Sequence, residues 1–156
     1  MSKEISDMGL NFIQCWETLR LTKYLDEAGL WTIGWGHLIK PGEQFPETIT
    51  LAMATEILLH DLRDAEGAVN NLVTVQLSPC QYDALVSLVF NIGSPQFKTS
   101  TILRLLNSGE YDKAAEQFKR WNKVRKNGKL AVSNGLTRRR DQERTMFLKG
   151  VYIYEH

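Results

Sequence analysis

One stripe of apolar residues constrains this chain more than any other feature. Leu51, Ala54, Leu58, Leu62, Ala65, Val69 and Leu72 step by three and four residues, the spacing that puts side chains on one face of an α-helix. Thr50, just before the stripe, is a suitable N-cap. A helix of this length is roughly 30 Å long at 1.5 Å per residue, which is enough to connect two parts of a small protein. Asp61 lies on the margin of the stripe, after Ile57 and Leu58 on the helical repeat. A part-buried acid in that position needs a partner.

The segments on either side of this helix differ in kind. Ile5, Met8, Phe12, Ile13 and Trp16 recur at helical spacing and predict a first helix over residues 5–17, the helical pattern being lost at Thr22. Tyr24–Asp26 and Leu30–Trp35 are expected as two short strands around the turn Asp26-Glu27-Ala28-Gly29. The stretch from His37 to Thr48, with Pro41-Gly42 and Pro46, is a loop with room for one more edge strand. After the long helix, Ser78-Pro79 supplies an N-cap followed by proline at the first helical position. Ala84–Ile92 is apolar on nearly every side, the mark of a helix buried all round. Gly93 ends it, and Ser94-Pro95 prevents its continuation. Thr101–Leu106 makes a short helix, and Tyr111, Ala114, Ala115, Phe118 and Trp121 define another. Residues 122–135 are basic and aperiodic and are expected to form a loop, before a last helix over 136–149 that opens with three arginines.

Helices and one small N-terminal hairpin sheet segregate along the chain, which predicts an α+β fold, mainly α. For 156 residues one domain is expected. It would comprise a hairpin lobe over about 17–60, a connecting helix over about 50–72 and a helical lobe over about 73–156 that includes the first helix.

The stretch from Trp16 to His37 carries the chemistry-bearing residues. Glu17 and Asp26 stand on either side of the turn into the hairpin, and two carboxylates across a groove can share acid and base work on a glycosidic bond. The alternative is a helix-end acid and a turn acid, both solvated. Glu17 falls at the end of the first helix, where the negative end of the helix dipole opposes a carboxylate charge. That suits a proton donor better than a structural acid. Gly34 and Gly36 flank Trp35 and let backbone approach a neighbour closely. They do not form a dinucleotide fingerprint, since no helix opens there.

The net charge of +1 conceals an asymmetry: residues 1–97 carry five Lys/Arg against twelve Asp/Glu, and residues 98–156 carry fourteen against six. A basic half of that kind attracts anionic surfaces or polymers, unless the acidic half balances it within one fold. The basic residues form no recognised nucleic-acid motif, so no nucleic-acid partner is expected. No apolar run approaches the roughly 20 residues of a membrane span, and the polar start of the chain lacks the apolar core of a secretory signal. Cytoplasmic synthesis without a stable membrane anchor is therefore expected, and Cys15 and Cys80 are expected as buried thiols. Neither cysteine has a histidine at metal-ligand spacing. No metal or cofactor is assigned.

The segment Glu17 to His37 closely resembles the active-site segment of the phage-type lysozymes, the endolysin muramidases of glycoside hydrolase family 24. Glu17, Leu21, Tyr24, Asp26, Gly29, Thr32, Ile33, Gly34, Gly36 and His37 follow that family's pattern in type and spacing. Thr18 departs from it, replacing the usual glycine. Further blocks are similar as well: Gln81-Tyr82-Asp83-Ala84-Leu85, Phe90-Asn91-Ile92-Gly93, Ser100-Thr101 with Leu103-Arg104 and Asn107, and Gly135-Leu136 with Arg139-Arg140 and Glu143. The likeness thus extends over nearly the whole chain.

The resemblance implies a two-lobed lysozyme fold and hydrolysis of the β-1,4 bond between N-acetylmuramic acid and N-acetylglucosamine in bacterial peptidoglycan, with inversion. Glu17 is then the general acid, with Trp16 and Phe90 as candidate apolar neighbours. Asp26 is the ionised second carboxylate, and Thr32 holds the attacking water. Inversion implies a carboxylate gap of roughly 6.5–9.5 Å. His37 and Asp61 resemble the family's structural ion pair. Arg139 is the best-aligned partner of Glu17, with Arg138 and Arg140 as rivals; for two of the three the alternative is a solvated helix start or a wall-binding face. Asn91, Thr101 and Phe90 are candidates for the sugar-contacting wall, with helix-end duties as the alternative for Asn91 and Thr101. By analogy the chain works as a monomer and accumulates in the host bacterial cytoplasm. It would reach the periplasmic wall through a holin, with anionic outer-membrane lipids as a further partner of its basic half. Two alternatives stay open: a non-hydrolytic lytic transglycosylase and a wall-binding module without activity.

Overall fold

The long helix organises the molecule. The computed structural model describes residues 3–155, and in it α2 runs from Leu51 to Leu72 as 22 continuous helical residues. Thr50 caps it by accepting a hydrogen bond from the Met53 N–H at 3.1 Å. Ala54, Leu58, Leu62, Ala65 and Val69 are buried along the expected stripe, while Leu51 at its start is exposed. Ala54 faces Gly34 of the sheet, Asp61 reaches His37, and Asp64 bonds Ser94 farther along. One helix thus touches the sheet near its start and the helical part near its end.

α1 spans Asp7–Trp16, capped by Ser6, whose hydroxyl accepts from the Gly9 N–H. Glu17 is its C-cap, with extended backbone at φ −98 and ψ 136, so the helix stops where expected. β1 then runs over Leu19–Leu25, β2 over Trp31–Trp35 and β3 over His37–Leu38, in an antiparallel sheet of order β1-β2-β3. β1 therefore begins well before Tyr24. Leu19 and Arg20 pair with Trp35 and Gly34, and this cross-strand pairing outweighs the residual helical pattern up to Thr22. The register slips between Arg20 and Tyr24. There the Leu21 carbonyl accepts from the Ile49 N–H at 2.9 Å, which tethers the bulged strand to the chain entering α2.

α3 covers Pro79–Ile92 and is opened by a reciprocal capping box between Ser78 and Gln81. Every residue from Tyr82 to Val89 is buried, as expected for a helix packed against both α2 and α7. The chain does not simply stop at Gly93. α4, Ser94–Lys98, starts there with Pro95 near its N-terminus, where a missing N–H costs nothing. α5 spans Thr101–Asn107, and α6 spans Tyr111–Gln117 before a single 3₁₀ turn over Phe118–Arg120.

The expected loop over 122–135 is replaced by a second hairpin, β4 (Lys123–Lys126) with β5 (Lys129–Val132). Asn127 and Gly128 at its tip have φ of 51 and 78, the paired positive φ of a tight hairpin turn. The Asn-Gly signal is masked in the sequence because the flanking residues are mostly basic, hiding the alternation of half-buried Val124 and Ala131 with exposed neighbours. α7, Asn134–Lys149, closes the chain's regular structure with Gly150 in the left-handed region. The tail returns across α1 and α3: the Tyr152 hydroxyl donates to buried Asp83 at 2.5 Å, and the Ser6 N–H reaches the same carboxylate at 3.0 Å. A Cβ on Gly9 would lie 2.6 Å from that carboxylate carbon, so glycine is required there.

Candidate active site

Glu17 lies where α1 gives way to the sheet, its side chain 22 % exposed. Two concavities meet at it. One, of about 370 Å³, is lined by Glu17, Gly36, His37, Asp61, Phe90 and Asn91, among others. The other, of about 420 Å³, is lined by Asn11, Cys15, Glu17, Leu19, Trp35 and Tyr154, among others. The Glu17 carboxyl is held from behind by Arg139, whose Nη1 donates to Oε1 at 3.1 Å. From the side it is approached by backbone, and a Cβ on Gly36 (φ +74) would touch Oε2 at 3.4 Å, in van der Waals contact. Thr18 next to it is exposed. Asn127 is the single described non-glycine residue with positive φ, so threonine at position 18 keeps an ordinary backbone and puts no left-handed strain beside the acid.

Arg139 belongs to a buried charge network. Glu143, fully buried, accepts from the Ser87 hydroxyl at 2.5 Å and lies 3.4 Å from Arg139 Nε and 2.8 Å from Arg140 Nε. Arg140, also fully buried, donates from Nη2 to Asn91 Oδ1 at 2.8 Å. Burial pushes its guanidinium below the usual range while Glu143 opposes the shift. A continuous path thus runs from Glu17 through Arg139, Glu143 and Arg140 to Asn91 on the facing wall. Arg139 and Arg140 are therefore buried, and a solvated or wall-facing position is left to Arg138 alone. Their i, i+3 and i, i+4 spacing to Glu143 was the available signal.

His37 also sits between carboxylates. Its Nδ1 lies 2.8 Å from Asp61 Oδ2, as expected, and its Nε2 lies 3.0 Å from Glu43 Oε1. Burial works to lower the imidazole pKa, but the hydrogen bonds and charges of Glu43 and Asp61 outweigh it and raise the value above 6.5. The Lys40 N–H, with His37, holds Glu43 below the usual 4.5. Glu43 is a partner that the sequence does not mark. It is supplied by a loop, and nothing in the local sequence marks a loop acid as a ligand of a histidine.

Asp26 and Thr32 are joined through Leu30 and do not line either concavity. The Leu30 carbonyl accepts from the Asp26 N–H at 2.9 Å and from the Thr32 hydroxyl at 3.0 Å. Asp26 Oδ1 accepts from the N–H groups of Ala28 and Leu30 at 2.9 and 2.8 Å, the side-chain-to-backbone pattern of an Asx turn. Thr32 is buried. Phe90 and Asn91 line the cleft with Glu17, whereas Thr101 is an exposed residue of the first turn of α5 and is not among the lining residues. Trp16 donates from Nε1 to Gln142 Oε1 at 3.0 Å, which ties the end of α1 to α7. Among the described residues no group of three His, Cys, Asp or Glu could hold a metal ion, and no helix is long and apolar enough to cross a membrane.

Residues 14–143 match the phage lysozyme family. This chain belongs to that family. It is 41% identical over 143 residues to the endolysin of Acyrthosiphon pisum secondary endosymbiont phage 1, covering 92% of this chain and 97% of the relative. It is also 41% identical over 148 residues to the endolysin of Salmonella phage P22, covering 93% and 98%. The solved endolysin of Escherichia coli O157:H7 phage FAHEc1 superposes with a TM-score of 0.91 at 36% identity, covering 98% of both chains. The chain is thus a lysozyme, a muramidase of the cell-wall-lysing endolysin kind, with the lysozyme-like α+β fold.

Proposed function

We propose that this lysozyme cleaves the β-1,4 bond between N-acetylmuramic acid and N-acetylglucosamine by single displacement with inversion. Glu17 gives its proton to the glycosidic oxygen as the bond from that oxygen to the sugar carbon breaks. A water attacks the carbon from the opposite face and loses a proton to Asp26. Because the Thr32 hydroxyl donates to the Leu30 carbonyl, it can only accept from the water. A water donating to Thr32 and Asp26 then presents its lone pair to the sugar. Asn91, fixed by Arg140, and Phe90 contact the sugar across the cleft. The observation that carries this reading is the Glu17 carboxyl, set at the junction of two concavities and gripped by a buried guanidinium.

The test is clearing of wall suspensions by the wild type and by Glu17→Gln, with analysis of the products. Reducing sugar ends of inverted configuration, and complete loss in the variant, are expected. Anhydro-sugar ends would instead make the protein a transglycosylase, and clearing that survives Glu17→Gln would remove Glu17 as the acid.

On the same reading the chain acts as a monomer made in the host cytoplasm and released to the wall through a holin. An added contact with anionic outer-membrane lipids is supported by the β4–β5 hairpin. There Lys123, Arg125, Lys126 and Lys129 stand beside Leu130 and Val132, which are 62% and 59% exposed. Killing of intact cells that persists in Glu17→Gln and is lost in Leu130→Glu would support that contact, and complete loss in Glu17→Gln alone would remove it.

A further inference from the structure

Tyr24 stands where it does because β1 is bulged. Counted regularly from the Arg20–Gly34 pair, the ladder would set Thr22 opposite Thr32. The slip between Arg20 and Tyr24 puts Tyr24 there instead, and bulges beside sites commonly re-aim a side chain in this way. On its other side Thr32 pairs with Leu38 of β3. Residues directly opposite one another share a face of the sheet, so Tyr24, Thr32 and Leu38 form one row across it. Leu38 lines the cleft with Glu17, and this face is therefore the one turned toward the cleft.

Asp26 follows Tyr24 by two residues, and its N–H continues the ladder to the Leu30 carbonyl. Its Cβ thus emerges on the same face. Tyr24 is the neighbour of both residues assigned to the attacking water, opposite one and two before the other. Thr32 is 2% exposed, whereas Tyr24 is half-buried and Leu38 is exposed. The small hydroxyl residue lies in the floor of the row, between two larger side chains. The Tyr24 ring is itself held, since Arg20 Cζ lies 4.7 Å from its centroid in a cation–π contact.

We propose that Tyr24 sets the size of the nucleophile site, walling a space at Asp26 and Thr32 that admits water and excludes alcohols. The proposal rests on the single-displacement reading, in which Asp26 and Thr32 hold the attacking water. In that step an oxygen attacks the sugar carbon and passes its proton to Asp26, while the leaving oxygen departs with the proton of Glu17. Methanol can make the same attack with the same proton transfers, so only the room beside Thr32 separates it from water. One extra carbon against a packed wall is discriminated by about tenfold or more. Exclusion matters on a substrate dense in sugar hydroxyls, because attack by one of them would rejoin glycan chains instead of cutting them.

The test digests purified glycan strands in aqueous methanol with the wild type, Tyr24→Phe and Tyr24→Ala. It measures the ratio of methyl glycoside to free reducing ends, and the anomeric configuration of the first products. Both products come from the same folded molecules, so the ratio does not depend on how much of a variant folds. The wild type and Tyr24→Phe keep the ring and are expected to share one low ratio. Tyr24→Ala is expected to raise it about tenfold or more. An unchanged ratio in Tyr24→Ala, or an equal rise in Tyr24→Phe, would overturn the proposal. If alanine abolishes turnover, Tyr24→Leu, which is also smaller than the ring, decides by the same ratio. Retained configuration or anhydro-sugar ends from the wild type would sink the single-displacement reading and the wall with it. Inverted products with an unchanged ratio would sink the Tyr24 wall alone.

Discussion

Arg139 and Glu17 are 122 residues apart in the chain and meet at 3.1 Å, guanidinium Nη1 to carboxylate Oε1. The pair joins the last helix to the end of the first. Because Arg139 also touches the fully buried Glu143, it balances two carboxylates at once, and Arg140 completes the balance toward Asn91. The geometry of Glu17 therefore depends on charges that lie outside its own segment.

Removing that arginine leaves half-buried Glu17 without its counter-charge and fully buried Glu143 with Arg140 alone. Arg139→Met is expected to lower unfolding free energy by about 3–5 kcal/mol and to abolish wall clearing. Arg139→Lys keeps the charge but loses the planar fork, and should recover stability more than activity. Denaturant titration beside a clearing assay measures both, and an Arg139→Met protein of wild-type stability would show that the network is not needed.

Asp26→Asn separates the turn from the chemistry. The amide oxygen can still accept from Ala28 and Leu30, so the melting temperature should move little. Activity should fall by about a hundredfold or more, the usual scale for a lost acid–base group. Near-normal rates in this variant would reduce Asp26 to a turn residue.

Gly36 and Gly42 provide an internally controlled pair. Both have left-handed backbone, at φ +74 and +88, but a Cβ on Gly36 approaches Glu17 Oε2 whereas one on Gly42 meets nothing. Alanine at either site should cost about 1–2 kcal/mol of backbone strain. A lower clearing rate is expected from Gly36→Ala alone, because its methyl group would lie against the Glu17 carboxyl, and equal rates in the two variants would show that this contact is harmless.

His37 makes stability depend on pH. Its folded pKa is raised above 6.5, so its contribution is fully present below that value and is lost as pH rises through the folded pKa. Glu43 is lowered from 4.5, so its contribution is present above 4.5 and is lost as pH falls through the lower folded value. The stability difference between wild type and His37→Asn should therefore be largest between about pH 4.5 and 6.5 and shrink on the alkaline side. Melting scans across that range check it, and the absence of any loss at neutral pH would disprove the pairing.

Particular residues show how far the sequence could be read. The stripe from Ala54 to Val69, the capping residues Thr50 and Ser78, and the all-round burial of α3 follow from local periodicity and caps, and all appear in the fold. The β4–β5 hairpin is obscured even though Asn127-Gly128 is a local signal, because charged strands show little apolar alternation. At the site, Glu17, His37, Asp61, Phe90, Asn91 and Arg139 were all nameable, and the structure gathers them around one cleft or directly behind it. Glu43, Ser87 and the buried state of Arg140 were not nameable, since a charged residue discloses its burial only through partners distant in sequence.

What the sequence determined by itself was most of the elements and the candidate residues for the chemistry, because helix periodicity, capping and turn chemistry act over a few residues. What only the tertiary structure decided was which charges are buried and shared. Desolvation and ion pairing depend on distances across the fold: Arg139 to Glu17, Arg140 to Asn91, and His37 held between Asp61 and Glu43.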